Sequence, residues 1–382
     1  MIQLPGRFDD IRPYYDSEIP AAMERIASDY SLDRILRFLG WESESEGVRK
    51  LLRSISTIDE LQGKVMQPAL EEIVRRSVSE LTCEGIENVD RENGVLYVSN
   101  HRDITMDALL QQNYLYRNSV PTSHITFGSN LMNPQFVSDI GLSNKMFKTV
   151  RKSRDYQEFM DSSIHLSDYI RYVVTHGESV WIAQRNGRTK DGTDRTEPGL
   201  MRMLMLGRRN RSDLEALNIT PVSVSYQWEP CDILKAVELY RSRDGKPYVK
   251  APGEDMNSII TGITSFKGKV SIAICRKLDL SSMGEKVGRS EIIGTATLVD
   301  REIYSAYRLW DTNYAAYDIL EGCGKFAGLY TPELKEEFLD RMERQIESYG
   351  NLDRNLLREI YLKIYAGPVY TSRRNGNPLP ND

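Results

Sequence analysis

The sequence predicts an α/β fold: a mixed, mostly parallel sheet covered by helices, with helical extensions at its N- and C-terminal ends. Three observations carry this. Between about residues 86 and 290, short β-branched runs alternate with helical stretches. Several of those runs are nearly continuously apolar, as strands covered on both faces are. Before and after this region, apolar residues recur at three- and four-residue spacing. The expected division is an N-terminal helical region at 1–85, an α/β core at 86–290 and a C-terminal helical extension at 291–382.

Taken in order, helices are expected over Ile19 to Ser28, Asp33 to Trp41, Glu46 to Ile55 and Ile58 to Val78, with Pro68 kinking or restarting the last. Strand signals begin only afterwards, at Val95 to Ser99, His124 to Phe127, Ser179 to Ala183, Ile219 to Tyr226 and Lys269 to Ile274. A helical stretch from about Thr105 to Tyr116 follows the first strand. The Met-rich, arginine-studded segment from Leu200 to Arg209 reads as a helix buried against the sheet, or as the lining of an apolar groove or interface. Phe136, Val137, Ile140 and Met146 form a second interface candidate. Near the C-terminal end, Thr331-Pro332 supply an N-cap and a first-turn proline for Glu333 to Tyr349, which Gly350 closes. Gly367-Pro368 are expected to close a helix from Asp353 to Ala366, and the tail 371–382 is expected to be loose.

Composition narrows the function. With 40% hydrophobic and 27% charged residues the chain can bury a sizeable core, which excludes whole-chain disorder, collagen and coiled coil. No apolar run approaches the roughly 18 residues of a membrane-spanning helix. The N-terminal residues lack a signal-peptide pattern, so a cytoplasmic location is expected. The cysteines at 83, 231, 275 and 323 have no Cys-x-x-Cys spacing; they fit a reducing compartment and offer no zinc site, and no metal is expected. The net charge of −5 is unevenly spread. Residues 145–154 hold five basic residues and no acidic one, and residues 185–211 hold eight basic and three acidic. Such localised positive charge on an acidic chain points to an anionic ligand or membrane surface and away from nucleic acid, although two solvated helix faces would also produce it.

Of the four histidines, His124, His165 and His176 have no catalytic pattern around them and are expected at the surface or satisfied in the core. His101 differs. It follows the first core strand within Ser99-Asn100-His101-Arg102-Asp103-Ile104-Thr105-Met106-Asp107 and precedes a helix, where open α/β sheets place ligands. Either Asp103 or Asp107 is close enough in sequence to hold one ring nitrogen while the other takes a proton, which is a general-base arrangement. The string His-Arg-Asp also occurs in protein kinases, but Ala108 stands where a kinase needs asparagine, and no Asp-Phe-Gly follows.

Four ordered blocks in this chain resemble those of the glycerol-phosphate and lysophosphatidic acid acyltransferases. The first is Asn100-His101 to Asp107. The second is Gly128-Ser129-Asn130-Leu131, continuing through Gly141 and Phe147 to Arg151-Lys152. The third runs from Trp181 through Gln184-Arg185-Asn186-Gly187-Arg188 to Gly192, and the fourth from Ile219 to Tyr226 around Pro221. Phe266 to Ile272 resembles the last core strand of the glycerol-3-phosphate branch, so the likeness covers about 80–290. Two departures stand out. Five residues separate His101 from Asp107 where the family has four, and Gln184 occupies the place of a usual glutamate in the third block. The extra residue is absorbed before the helix, leaving Asp107 as partner, or Asp103 takes the role.

The resemblance implies transfer of a fatty acyl group from coenzyme A or acyl carrier protein to an acceptor hydroxyl, with His101 as base and no cofactor. Arg151, Arg185 and Arg188 would hold a phosphate or other acidic group, with Asn130 and Gln184 beside the substrate. Implied partners are the acyl donor, a phosphorylated or lipid acceptor and, peripherally, the inner face of the cell membrane. An amino-acid lipid as acceptor, a thioesterase and a non-catalytic lipid- or acyl-carrier-binding relative are the other readings.

Overall fold

The computed structural model describes residues 1–132, 134–149, 155–245, 248–377 and 379–380. Its centre is a seven-stranded sheet of β1 (Val78–Glu84), β2 (Leu96–Ser99), β3 (His124–Gly128), β4 (Met146–Thr149), β5 (Val180–Ala183), β6 (Ile219–Tyr226) and β7 (Gly268–Ile274). The spatial order is β1-β7-β6-β2-β5-β3-β4, and every neighbouring pair is parallel except β6 and β7. The expected mixed, mostly parallel α/β sheet is therefore present.

Alternation along the central strands assigns the two faces. Leu96, Val98, Val180, Ile182 and Ile219 pack under the helices Tyr156–Thr175, Pro198–Leu204 and Arg289–Ser305. Val95, Tyr97, Trp181, Val222 and Val224 pack with residues of the helices Gln67–Ser77 and Met106–Arg117. Both faces are covered, which is why these strands read as continuous apolar runs.

Two strands escape the sequence reading. Residues 78–84, expected to be helical, form edge strand β1, because parallel pairing with β7 gives a half-polar segment a ladder that its own pattern does not announce. β4, four residues long, lies at the other edge and pairs with β3. The helix expected to stop before Gly367-Pro368 instead continues as Arg354–Arg374, with Pro368 inside it. Pro368 has no N–H for the carbonyl of Ile364, and the Gly192 backbone comes so close to that carbonyl that a Cβ on Gly192 would overlap it. The bare Gly367 admits the same loop, since a Cβ there would overlap Gly192. The glycine and proline serve helix-to-loop packing instead of a stop.

Met201, Leu204 and Met205 are buried, so the Met-rich helix packs into the core as the buried-helix reading expected. Phe136 is also buried, and with Val137 and Ile140 it packs against the N-terminal helices. Phe136 therefore belongs to the core, while Val137, Ile140 and Met146 are half-buried. Among the described residues no helix is long and apolar enough to cross a membrane.

Candidate active site

His101 lies two residues beyond β2. Odd-numbered positions of this strand face the helix Met106–Arg117, and His101 continues that parity, arriving beside Trp181 of β5 with its ring edge-on at 5.9 Å. Asn100 fixes the strand end. Its side chain donates to the Val224 carbonyl at 2.9 Å and accepts from the Val224 amide at 2.7 Å, so it closes the backbone of β2 onto β6.

The loop from His101 to Thr105 then folds around one carboxylate. Asp107, in the first turn of the helix Met106–Arg117, places Oδ2 at 3.0 Å from His101 Nδ1 and accepts the backbone amides of Arg102 and Asp103 at 2.7 and 2.9 Å. Its other oxygen, Oδ1, accepts from the Tyr226 hydroxyl at 2.7 Å. Asp107 is fully buried and His101 is 6% exposed. The extra residue between His101 and Asp107 is absorbed in this loop, before the helix begins. Burial and the neighbouring Asp107 carboxylate drive the Tyr226 phenol well above its ordinary pKa, which keeps it a donor.

Asp103 does not contact the imidazole through any hydrogen bond among the described residues. Its Oδ1 accepts the amides of Thr105 and Met106 at 3.0 and 2.9 Å and so caps the helix start. Its Oδ2 is buried without a hydrogen bond, packed against the bare Cα of Gly262.

Arg188 sits on the adjoining loop. The next residue, Thr189, donates its amide to the His101 carbonyl at 2.6 Å, so this loop closes over the strand end. Arg188 Nη2 donates to Ser258 Oγ at 3.1 Å, and Nη1 is buried without a partner. Burial opposes its charge, but Cys231 and Asp103 raise its pKa above the usual arginine value. Of the predicted residues, Asp107 contacts His101 directly, and Asp103 and Arg188 lie on the loops beside it.

The other predicted residues are placed differently. Arg185 lines a separate cavity with Arg195 and Arg374. Gln184 is fully buried, accepting from Thr196 Oγ1 at 3.3 Å, while its Nε2 has no partner. Asn130 donates to Asp255 at 2.8 Å at the surface. Arg151 lies outside the described residues. His124 is a satisfied core histidine, with Nδ1 at 2.8 Å from the Tyr169 hydroxyl and Nε2 at 2.6 Å from Glu178.

Sequence reasoning missed the charge cluster beneath His101. Fully buried Arg102 donates to Glu229 Oε2 from Nε and Nη2 at 3.1 and 2.8 Å, and from Nη1 to Asp194 Oδ2 at 3.3 Å. Lys235 donates to Glu229 and, at 2.5 Å, to the Arg102 carbonyl. Burial opposes the Arg102 charge, yet Glu229, the Tyr307 phenol and Asp194 hold its pKa well above the usual arginine value. Asp194 also accepts from Asn100 at 3.0 Å and from Tyr304 at 3.3 Å. Tyr226, the last residue of the fourth block, was legible as a strand end, but Glu229 and Lys235 carry no sequence signal.

A buried histidine and carboxylate thus meet at the carboxyl edge of a mostly parallel sheet, an arrangement able to accept a proton at the free ring nitrogen. Residues 80–225, which contain His101, Asp107 and Arg188, match the family model described as Acyltransferase. No curated protein matches the chain. Among solved structures it is similar to the crystal structure of the 1-acyl-sn-glycerophosphate (LPA) acyltransferase PlsC from Thermotoga maritima. The identity is 16%, the match covers 73% of this chain and 91% of that one, and the TM-score is 0.36. So distant a likeness carries no argument about substrate.

Proposed function

We propose that the protein is an O-acyltransferase that moves a fatty acyl group from an acyl thioester, on coenzyme A or acyl carrier protein, to a hydroxyl of glycerol-3-phosphate, a lysophospholipid or a related lipid precursor. The observation that carries this reading is the 3.0 Å contact of His101 Nδ1 with a buried Asp107, within a domain of the acyltransferase family. With Nδ1 occupied, Nε2 is the nitrogen left for substrate.

In this reading Nε2 takes the acceptor hydroxyl proton as the oxygen attacks the thioester carbonyl. Asp107 stabilises the imidazolium, and collapse of the tetrahedral intermediate expels the thiolate, which recovers the proton. Arg188, with a buried and unpartnered Nη1 on the loop bonded to His101, is the phosphate ligand. Arg151 joins it. No cofactor takes part. Peripheral contact with a membrane is supported by exposed Tyr156, Phe159 and Ile164 on one helix, directly after the basic sequence Arg151 to Arg154.

The test is incubation of the purified protein with labelled palmitoyl-CoA or palmitoyl-acyl carrier protein and a panel of phosphorylated and lipid acceptors. Acceptor-dependent thiol release is expected, and His101→Ala should abolish it at an unchanged melting temperature. Thiol release without acceptor would make the protein a hydrolase, and full activity in His101→Ala would overturn the mechanism.

A further inference from the structure

The cavity that holds Arg185 has features of a second ligand site. Its volume is about 570 Å³, within the range of small-molecule sites. Arg185 and Arg195 reach it from the loop that follows β5, and Arg374 from the last turn of the helix Arg354–Arg374. None of the three guanidinium groups makes an ion pair or hydrogen bond among the described residues, and Arg185 Nε is buried without a partner. Three carboxylates, Asp191, Glu197 and Asp300, share these walls, and Arg195 acts electrostatically on Asp300. Asp191 accepts the Thr193 amide at 3.0 Å. Asp300 accepts the Thr196 amide and hydroxyl at 2.7 and 2.6 Å, and burial pushes its pKa up. Pro198, Ile293 and Ala296 supply an apolar wall.

We propose that this cavity binds a phosphate ester of nucleotide size, with its phosphates on Arg185, Arg195 and Arg374 and its flat apolar part against Pro198, Ile293 and Ala296. Planar guanidinium groups, two from this loop and one from the C-terminal helix, suit a multiply charged phosphate, to which each can offer paired N–H donors. The same loop is tied to the catalytic strand. Asp194, between the cavity-lining Thr193 and Arg195, accepts from Asn100 and Arg102 on either side of His101. Two sources share this chemistry: the nucleotide end of a coenzyme A donor, in which case the inference rests on the acyl-transfer reading, and a separate phosphorylated effector.

Isothermal titration calorimetry of the full chain with 3′-phosphoadenosine 5′-diphosphate, and with adenosine as the uncharged control, tests the site without any turnover. The nucleotide should bind and adenosine should not. Arg195→Gln and Arg374→Gln, both at exposed positions, should each weaken the nucleotide by roughly tenfold at an unchanged melting temperature. Absence of nucleotide binding, or equal binding by the double variant, would overturn the site. If Arg374→Gln raises KM for palmitoyl-CoA at constant kcat, the ligand is the donor's nucleotide. If it weakens the nucleotide but leaves that KM unchanged, the ligand is a separate effector. Because calorimetry does not depend on His101, failure here leaves the acyl-transfer reading standing, and failure of acyl transfer leaves the binding result standing.

Discussion

The Tyr226 hydroxyl donates to Asp107 Oδ1 at 2.7 Å, which leaves Oδ2 to the His101 imidazole at 3.0 Å. One carboxylate thereby joins the end of β6 to the loop after β2. With the Arg102 and Asp103 amides on Oδ2 as well, its orientation is overdetermined, as a group that fixes a histidine tautomer needs to be.

Tyr226→Phe removes the only donor that Oδ1 has among the described residues. A buried carboxylate oxygen without its donor costs roughly 1–3 kcal/mol. Denaturant unfolding should show that loss, and kcat should fall while the KM for the acceptor stays near the original value. An unchanged kcat would separate Tyr226 from the chemistry.

Asp103→Asn and Asp107→Asn should fail in different ways. Asp107→Asn should cut turnover by about 10³-fold or more, by the logic of a lost histidine orienter. Asp103→Asn keeps the oxygen that caps the helix but removes the negative charge that faces Arg188 and Lys267. A stability loss of roughly 1–3 kcal/mol with a smaller effect on kcat is expected. Steady-state kinetics and urea unfolding on both variants check the contrast, and equal kinetic losses would refute it.

Lys267 should make stability rise with pH. It is fully buried, its ammonium donates to the carbonyls of Ile263 and Ser265, and burial, partly offset by Asp103 and Cys231, lowers its pKa from 10.5 to about 8. Between those two values the unfolded chain binds more protons than the folded one, so this group's contribution to unfolding free energy increases with pH; below about 8 it is level. The steepest slope is about 1.4 kcal/mol per pH unit. Urea midpoints from pH 7 to 10 for the natural chain and for Lys267→Met give the difference directly. Parallel curves would show that Lys267 does not titrate there.

Gly262→Ala should be destabilising because its Cβ would overlap Asp103 Oδ2. A cost of about 1–3 kcal/mol is expected for such overpacking. Combined with Asp103→Ala, which removes the obstructing oxygen, the two costs should fall short of additivity by calorimetric or urea unfolding. Strict additivity would mean that the two residues do not meet.

The sequence by itself determined the α/β sheet and its central strands, because a strand covered on both faces must be apolar throughout and β2, β5 and β6 announce that. It also determined the position of His101, since strand, loop and helix follow one another within a few residues. What only the tertiary structure decided depends on residues distant in sequence. β1 exists through its pairing with β7, nearly 190 residues on. The choice of Asp107 over Asp103 rests on where the loop after β2 absorbs its extra residue, and on a tyrosine from β6 that holds the other oxygen. Arg185 and Arg188, three residues apart, serve different places because the loop turns between them at Gly187, whose φ of 77° lies in the left-handed region. The charges of Arg102, Glu229 and Lys235 meet only after burial strips their water, so their pairing is a property of the packed interior and has no pattern along the chain.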